Sequence, residues 1–407
     1  MSEGRSSYWF AAFFPNGVAL GIIGTLIPLY LVQELKASLV DLGLMMFTAS
    51  ILLIPASILL GSLPDRYKMS KPFILVSFLG VSIMLFLMSM TTSVIVFQAL
   101  YVVKELFNYL KGPSTSILIA ESYERNIRSS MIARQGFIEG LGGIVGLSLC
   151  IFTIDTLGYK TLLTLTAPFV LASFILALLI IQEPPLYIER SLDRMDSVIE
   201  QMAGLSYRLT DQGTIVSDLS GEWRFGKKHN MSLFALGRAF FAFATSNATA
   251  TLSIFLLKGA GFTSSLVFVA FQIRSIVGTL SYLFVDRFIG GKGEGAIITG
   301  TFIRVIAIGL LPAVIWLPMP FSVLAVSLIL SFVALSWSIY SVGVGLITVL
   351  HSAPGRLGFY DAVTSLGGAL GNYSSGLIPM LYGFETLFLI SSLLFALALF
   401  LFYMSMK

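Results

Sequence analysis

A helix needs about 20 predominantly apolar residues to cross a bilayer, and this chain is built from stretches of that length closed by short polar breaks. They run from Trp9 to Gln33, Leu39 to Leu63, Pro72 to Met90, Ser93 to Ala120, Met131 to Ile154 and Leu162 to Ile181. A second set runs from Ser232 to Leu257, Ser264 to Val285, Gly295 to Trp316, Phe321 to Leu350, Phe359 to Leu381 and Glu385 to Met404. We number them spans 1 to 12. Six precede and six follow the only long hydrophilic segment, Gln182 to Asn230. The pattern predicts an all-α integral membrane fold of 12 transmembrane helices in two pseudo-symmetric six-helix bundles, residues 1–181 and 231–407, with a cytoplasmic linker over 182–230. Within the linker Ile188, Leu192, Met195, Ile199, Met202 and Leu209 recur at helical spacing between charges, the signature of an amphipathic surface helix. A tether and a regulatory surface both fit that helix.

Composition fixes the solvent. Apolar residues make up 56% of the 407 and charged residues 11%, where soluble domains carry about 25%. Mean hydropathy is +0.90. The sole cysteine, Cys150, lies in an apolar run and forms no intrachain disulfide. Cationic residues sit beside apolar spans rather than on a basic face, so the pI near 9.0 reflects topology and no nucleic-acid partner is expected. Placing both termini in the cytoplasm puts sixteen Lys and Arg inside, among them Arg66, Lys71, Arg128 and Arg287, against Lys36, Lys160 and Lys258 outside. Span 1 contains Pro15 and Pro28 and no small-residue cleavage site, so it reads as a retained span of a multi-pass cell-membrane protein. The sequons at Asn230, Asn247 and Asn372 fall in cytoplasm or membrane and are expected to carry no glycan.

Two internal echoes support the duplication. Asp65-Arg66-Tyr67 closes span 2 and Asp286-Arg287-Phe288 closes span 8, displaced by 221 residues. Leu141-Gly142-Gly143-Ile144-Val145-Gly146 in span 5 matches Leu366-Gly367-Gly368-Ala369-Leu370-Gly371 in span 11, displaced by 225. Small residues four apart let helix backbones approach closely in a membrane. A dinucleotide loop is excluded because no strand precedes these glycines.

Gly61, Leu63, Asp65, Arg66 and Lys71 between spans 2 and 3, with Pro113, Glu121 and Arg128 around the end of span 4, make the chain resemble the major facilitator superfamily. The usual glycine two positions after the arginine is Lys68 here, and the usual basic pair is Met69-Ser70. The resemblance implies a secondary transporter working by alternating access. It also implies a cytoplasmic gate of Gly61, Asp65, Arg66, Arg128, Asp286, Arg287 and Asp361. An acid at Asp65 suits the positive N-terminus of a neighbouring helix, which the family arrangement implies is span 11, with Gly61 allowing close approach.

Charges inside spans are costly and by default functional. Span 4 carries Lys104, Asn108, Lys111 and Thr115 on one helix face, with Glu105 about 100° away, able to pair with another span or to reach the cavity edge. Arg134 and Glu139 lie in span 5, Arg238 in span 7, Arg274 in span 8, Arg304 in span 9 and Asp361 in span 11. Span 9 is peripheral in the resembling family, so Arg304 is set aside. The excess of fixed positive charge predicts an anionic organic solute, with Asn16, Lys104, Asn108, Arg238, Asn247 and Arg274 as the substrate site. Structural pairing of the cations with Glu105, Glu139 and lipid headgroups is the competing account. Glu105 and Glu139 are the candidates for proton coupling, though uniport is equally open. No metal site, catalytic triad or cofactor site is expected. Gly290-Gly291-Lys292-Gly293 lacks the spacing and hydroxyl of an ATP-binding loop, so the chain reads as no enzyme. Small solutes, lipid and protons are the expected partners of a monomer. Multidrug efflux by proton antiport, suggested by the Phe- and Met-rich spans, and a non-transporting membrane sensor are the alternatives.

Overall fold

The computed structural model describes residues 7–61, 67, 69–123, 127–183, 230–281, 293–351 and 357–407. All twelve apolar stretches are helical across their described residues, with ends shifted by a few positions and span 7 interrupted at Ala250 and Thr251. No strand occurs among the described residues. Among the described residues nine helices are long and apolar enough to cross a membrane, two of them holding two stretches each, spans 5 with 6 and 11 with 12. The helix of span 4, Val94–Ser122, is long enough but carries Lys104, Glu105 and Lys111 in its middle. The linker helix expected over 188–209 lies outside the described residues.

Local chemistry explains several helix ends. Ser38 and Asp41 cap span 2 reciprocally: the Ser38 amide donates to Asp41 Oδ2 at 2.9 Å and the Asp41 amide to Ser38 Oγ at 3.1 Å. Pro72 occupies the first turn of span 3, where a missing N–H costs nothing. Asn230 accepts from the Leu233 amide at 3.2 Å and caps span 7.

Spans 5 and 6 form one helix, Arg128–Ile180, broken at Gly158 (φ 73°, ψ 169°). Spans 11 and 12 form another, Leu357–Ser405, broken at Gly383 (φ 83°, ψ 166°). Only glycine adopts that conformation without strain. Each break reverses the chain. Glu139 and Ser173 lie 34 residues apart, about 51 Å along a straight helix, yet both hydrogen-bond to Asn16. Gly158 and Gly383 are 225 residues apart, the displacement of the glycine echo.

The glycines themselves form two matching seams. A Cβ on Gly142 would fall on the Phe14 carbonyl and one on Gly146 on the Val18 carbonyl, so spans 5 and 1 touch backbone to backbone. Gly367 meets the Ala239 carbonyl and Gly371 the Phe243 carbonyl in the same way, joining spans 11 and 7. Phe14 to Ala239, Val18 to Phe243, Gly142 to Gly367 and Gly146 to Gly371 are all displacements of 225. The echo read from sequence is therefore a superposable packing unit. Its loop counterpart around Asp65 and Asp286 lies outside the described residues.

Residues 1–181 and 229–407 form one compact unit. Spans 2 and 11 meet across it, as do spans 5 and 8. The Phe47 and Tyr373 rings lie 5.7 Å apart, and Gln272 Nε2 donates to Ser148 Oγ at 2.7 Å. Phe47 to Gln272 and Ser148 to Tyr373 are again displacements of 225, so the two contacts are mirror positions of one interface. Asn372 adds a bond to Ser50 at 2.9 Å, Tyr159 one to Ser264 at 2.5 Å, and Ser265 one to Asp155. Large apolar side chains cover the outside; Phe152 is 81% and Ile95 78% exposed, which suits lipid and not water.

Candidate substrate and coupling site

Span 4 supplies the first polar cluster. Lys104 is buried, its Nζ sits 2.6 Å from Glu105 Oε1 and 4.5 Å from the Tyr101 ring centroid, and Asn108 Nδ2 donates to Glu105 Oε2 at 3.4 Å. Adjacent residues on a helix point apart, so the flexible lysine stem makes this pair by reaching sideways. Glu105 therefore finds its partner on its own helix rather than on another span. The Lys104 charge is neutralised locally.

The second cluster joins three spans. Glu139 of span 5 accepts from Asn16 Nδ2 of span 1 at 2.6 Å, pairs with Lys111 of span 4, and accepts from Gln135 Nε2 at 3.2 Å. Asn16 is buried, and its backbone amide donates to Ser173 Oγ at 2.7 Å. The seam brings this about: with Gly17 against the Glu139 carbonyl, the neighbouring side chains of the two spans must meet. The carboxylate is thus held by an amide and an ammonium from two other spans. Gln135 carried no sequence signal, lying one turn before Glu139 in an otherwise unremarkable stretch.

The second half is arranged differently. Arg304 is 3% exposed; its Nε donates to Ser336 Oγ at 3.0 Å and its Nη1 to Thr245 Oγ1 at 2.7 Å. Rings of Phe241, Trp337 and Phe395 surround its guanidinium at 5.0, 5.2 and 5.6 Å. A residue set aside because its helix is peripheral thus reaches spans 7, 10 and 12. Arg274 is half-buried with the Phe271 ring at 5.8 Å. Asn247 is fully buried, donating to Ser391 Oγ at 2.8 Å and accepting from Ser374 Oγ at 2.6 Å. Its amide fastens spans 7, 11 and 12. Arg238 is half-buried and Arg134 exposed.

Of the gate residues, Gly61 is the last described residue of the span 2 helix, and Arg128 Nε donates to the Tyr123 carbonyl at 3.0 Å, closing the end of span 4. Tyr123 also accepts from Trp9 Nε1 at 3.1 Å. Asp65, Arg66, Asp286 and Arg287 lie outside the described residues, as does the side chain of Asp361. Among the described residues, no group of three or more His, Cys, Asp or Glu could hold a metal ion.

Comparison with known proteins bears on the whole arrangement. Among solved structures, the chain is similar to a nucleoside transporter (17% identity, 98% of this chain and 97% of that one, TM-score 0.70). It is also similar to a D-xylose-proton symporter (14%, 98% of each, TM-score 0.73). A human organic anion transporter matches at 16% identity over 98% of this chain and 100% of its own, TM-score 0.63. At such identities the likeness shows the fold alone. No curated protein matches the chain significantly. The Major Facilitator Superfamily model matches residues 9–357, and with that match and a fold shared with membrane transporters, the chain belongs to the Major Facilitator Superfamily.

Proposed function

We propose that this protein is a secondary active transporter that carries a small organic anion by alternating access, with proton coupling through Glu139. The observation that carries the reading is uneven charge compensation. In the first half Lys104 and Lys111 each hold a carboxylate, Glu105 and Glu139. In the second half Arg274 has an aromatic contact and no carboxylate among the described residues. The net positive charge that selects an anion therefore comes from the arginines, with Lys104, Asn16 and Asn108 as polar neighbours. Glu139 suits coupling because it is a carboxylate inside a span whose ammonium partner, Lys111, stands on a different span. Mirrored contacts between the halves suit a rocking motion about a shared centre. The excess of Lys and Arg on one side supports cytoplasmic termini in a cell membrane. A monomer is sufficient for this mechanism.

Reconstitution into proteoliposomes tests the reading. Uptake of small carboxylates or organophosphates, lost in Arg274→Gln and reduced when the pH gradient is collapsed, is the expected result. Movement of lipophilic cations alone would replace it with multidrug efflux, and no flux of any solute would favour a sensor. Anion uptake indifferent to the pH gradient would leave the substrate class and remove the coupling role of Glu139.

A further inference from the structure

A buried cation without a buried anion is the costliest arrangement a membrane helix can hold, and among the described residues Arg304 has no acid bonded to it. The second half contains four acids, Asp286, Glu294, Asp361 and Glu385. Glu294 and Glu385 are exposed at helix ends, and Asp286 lies outside the described residues, beyond the end of span 8. The seam gives the level of Asp361: Gly367 faces Ala239 and Gly371 faces Phe243, so position 361 is level with residue 233. That is about 12 Å along the axis from Phe241, whose ring lies beside the guanidinium. Arg274, a second cation of this half, is half-buried against the Phe271 ring.

The guanidinium is nonetheless held in one pose. Aromatic rings enclose it, and two hydroxyls from different spans take Nε and one proton of Nη1. A guanidinium has five N–H donors, so the fork between Nη1 and Nη2 keeps donors for a two-oxygen acceptor. We propose that Arg304 forms an anion-recognition site in the second half, in which its fork takes the carboxylate or phosphate group of the solute edge-on. This rests on the anion reading above and adds a residue to it that the sequence had set aside. Arg304, fixed by Thr245 and Ser336, orients the anion. The aromatic shell favours a planar acyl or aryl group beside the charged end over a polyhydroxylated one.

The test uses full-length protein in detergent and in liposomes, with benzoate, succinate and glycerol phosphate as probes and glucose as the neutral control. In detergent, Arg304→Met is expected to raise the melting temperature of the ligand-free protein while abolishing the rise that anions produce. Arg304→Lys keeps the charge but not the fork, and is expected to weaken anion binding about tenfold or more with little change in ligand-free stability. Thr245→Val, which frees the fork, is expected to fall between parent and Arg304→Lys. If Arg304→Met lowers ligand-free stability, or if Arg304→Lys and Thr245→Val bind anions as the parent does, Arg304 is a structural clasp and the proposal is overturned. That second result, with binding still lost in Arg274→Gln, would leave the anion reading standing. A parent that responds to no anion would overturn both. Adding anionic lipid to the liposomes separates sources: competition between lipid phosphate and solute would show the fork accepts headgroups, and a response to lipid alone would overturn the solute site.

Discussion

Asn16 and Phe241 occupy equivalent places in the two halves, as do Glu139 and Thr364, each pair separated by the 225 residues that relate the two glycine seams. In the first half this level holds an amide, a carboxylate and an ammonium bonded across three spans. In the second it holds an aromatic ring with the Arg304 guanidinium beside it. Backbone packing was kept while side-chain chemistry diverged. The glycine seams depend only on the absence of Cβ atoms, so they tolerate any chemistry on neighbouring faces. A charge pair and an aromatic-held cation are different chemistry: the first joins a carboxylate to an ammonium, the second sets a guanidinium among rings. A duplicated scaffold thus carries a paired centre in one half and a ring-held cation in the other.

The equivalence of the seams is the part most easily broken. Gly142→Leu and Gly367→Leu each put a side chain onto a carbonyl of the facing helix, and backbone cannot yield as a side chain can. Both are expected to abolish recovery of monodisperse protein in size-exclusion chromatography. Tolerance of one and not the other would mean the seams are unequal. Next in size, Glu139→Ala strands Lys111 in a mostly buried setting and should destabilise by about 3 kcal/mol, while adding Lys111→Met should recover most of the loss. A denaturant melt of the two single variants and the double decides this; simple additivity would show that the pair is not coupled. The smallest effect belongs to the mirrored contacts. Gln272→Ala removes one hydrogen bond between the halves, worth about 1 kcal/mol, and should speed hydrogen exchange of residues near 264–272 without altering the melt of the rest. Unchanged exchange would place the hold on the Tyr159 and Asp155 contacts instead.

The spans were legible because crossing a bilayer demands a run of apolar residues that no other use of the chain imitates. The repeat was legible because close helix packing needs small residues at fixed spacing, and fixed spacing survives in sequence as an offset. Gln272 and Ser148 were within reach of that offset, being the counterparts of Phe47 and Tyr373, but chemically unlike pairs give no textual match. Partners of charged residues were not legible. Glu105 pairs with its immediate neighbour because a lysine stem bends, and Glu139 reaches Asn16 because two glycines bring the helices together. Arg304 shows the sharpest gap: depth and helix number describe where its backbone stands, whereas its seven-atom side chain decides which helices it serves.

The chain reversals at Gly158 and Gly383 bear on synthesis as well as on the finished fold. With the reversal made at one glycine, spans 5 and 6 are joined by only a few residues in water, and spans 11 and 12 are in the same position. Each pair therefore suits entry into the bilayer as a single hairpin. A larger residue at either glycine would be felt first during translation, as a pair that fails to fold back and is discarded before any transport could be measured.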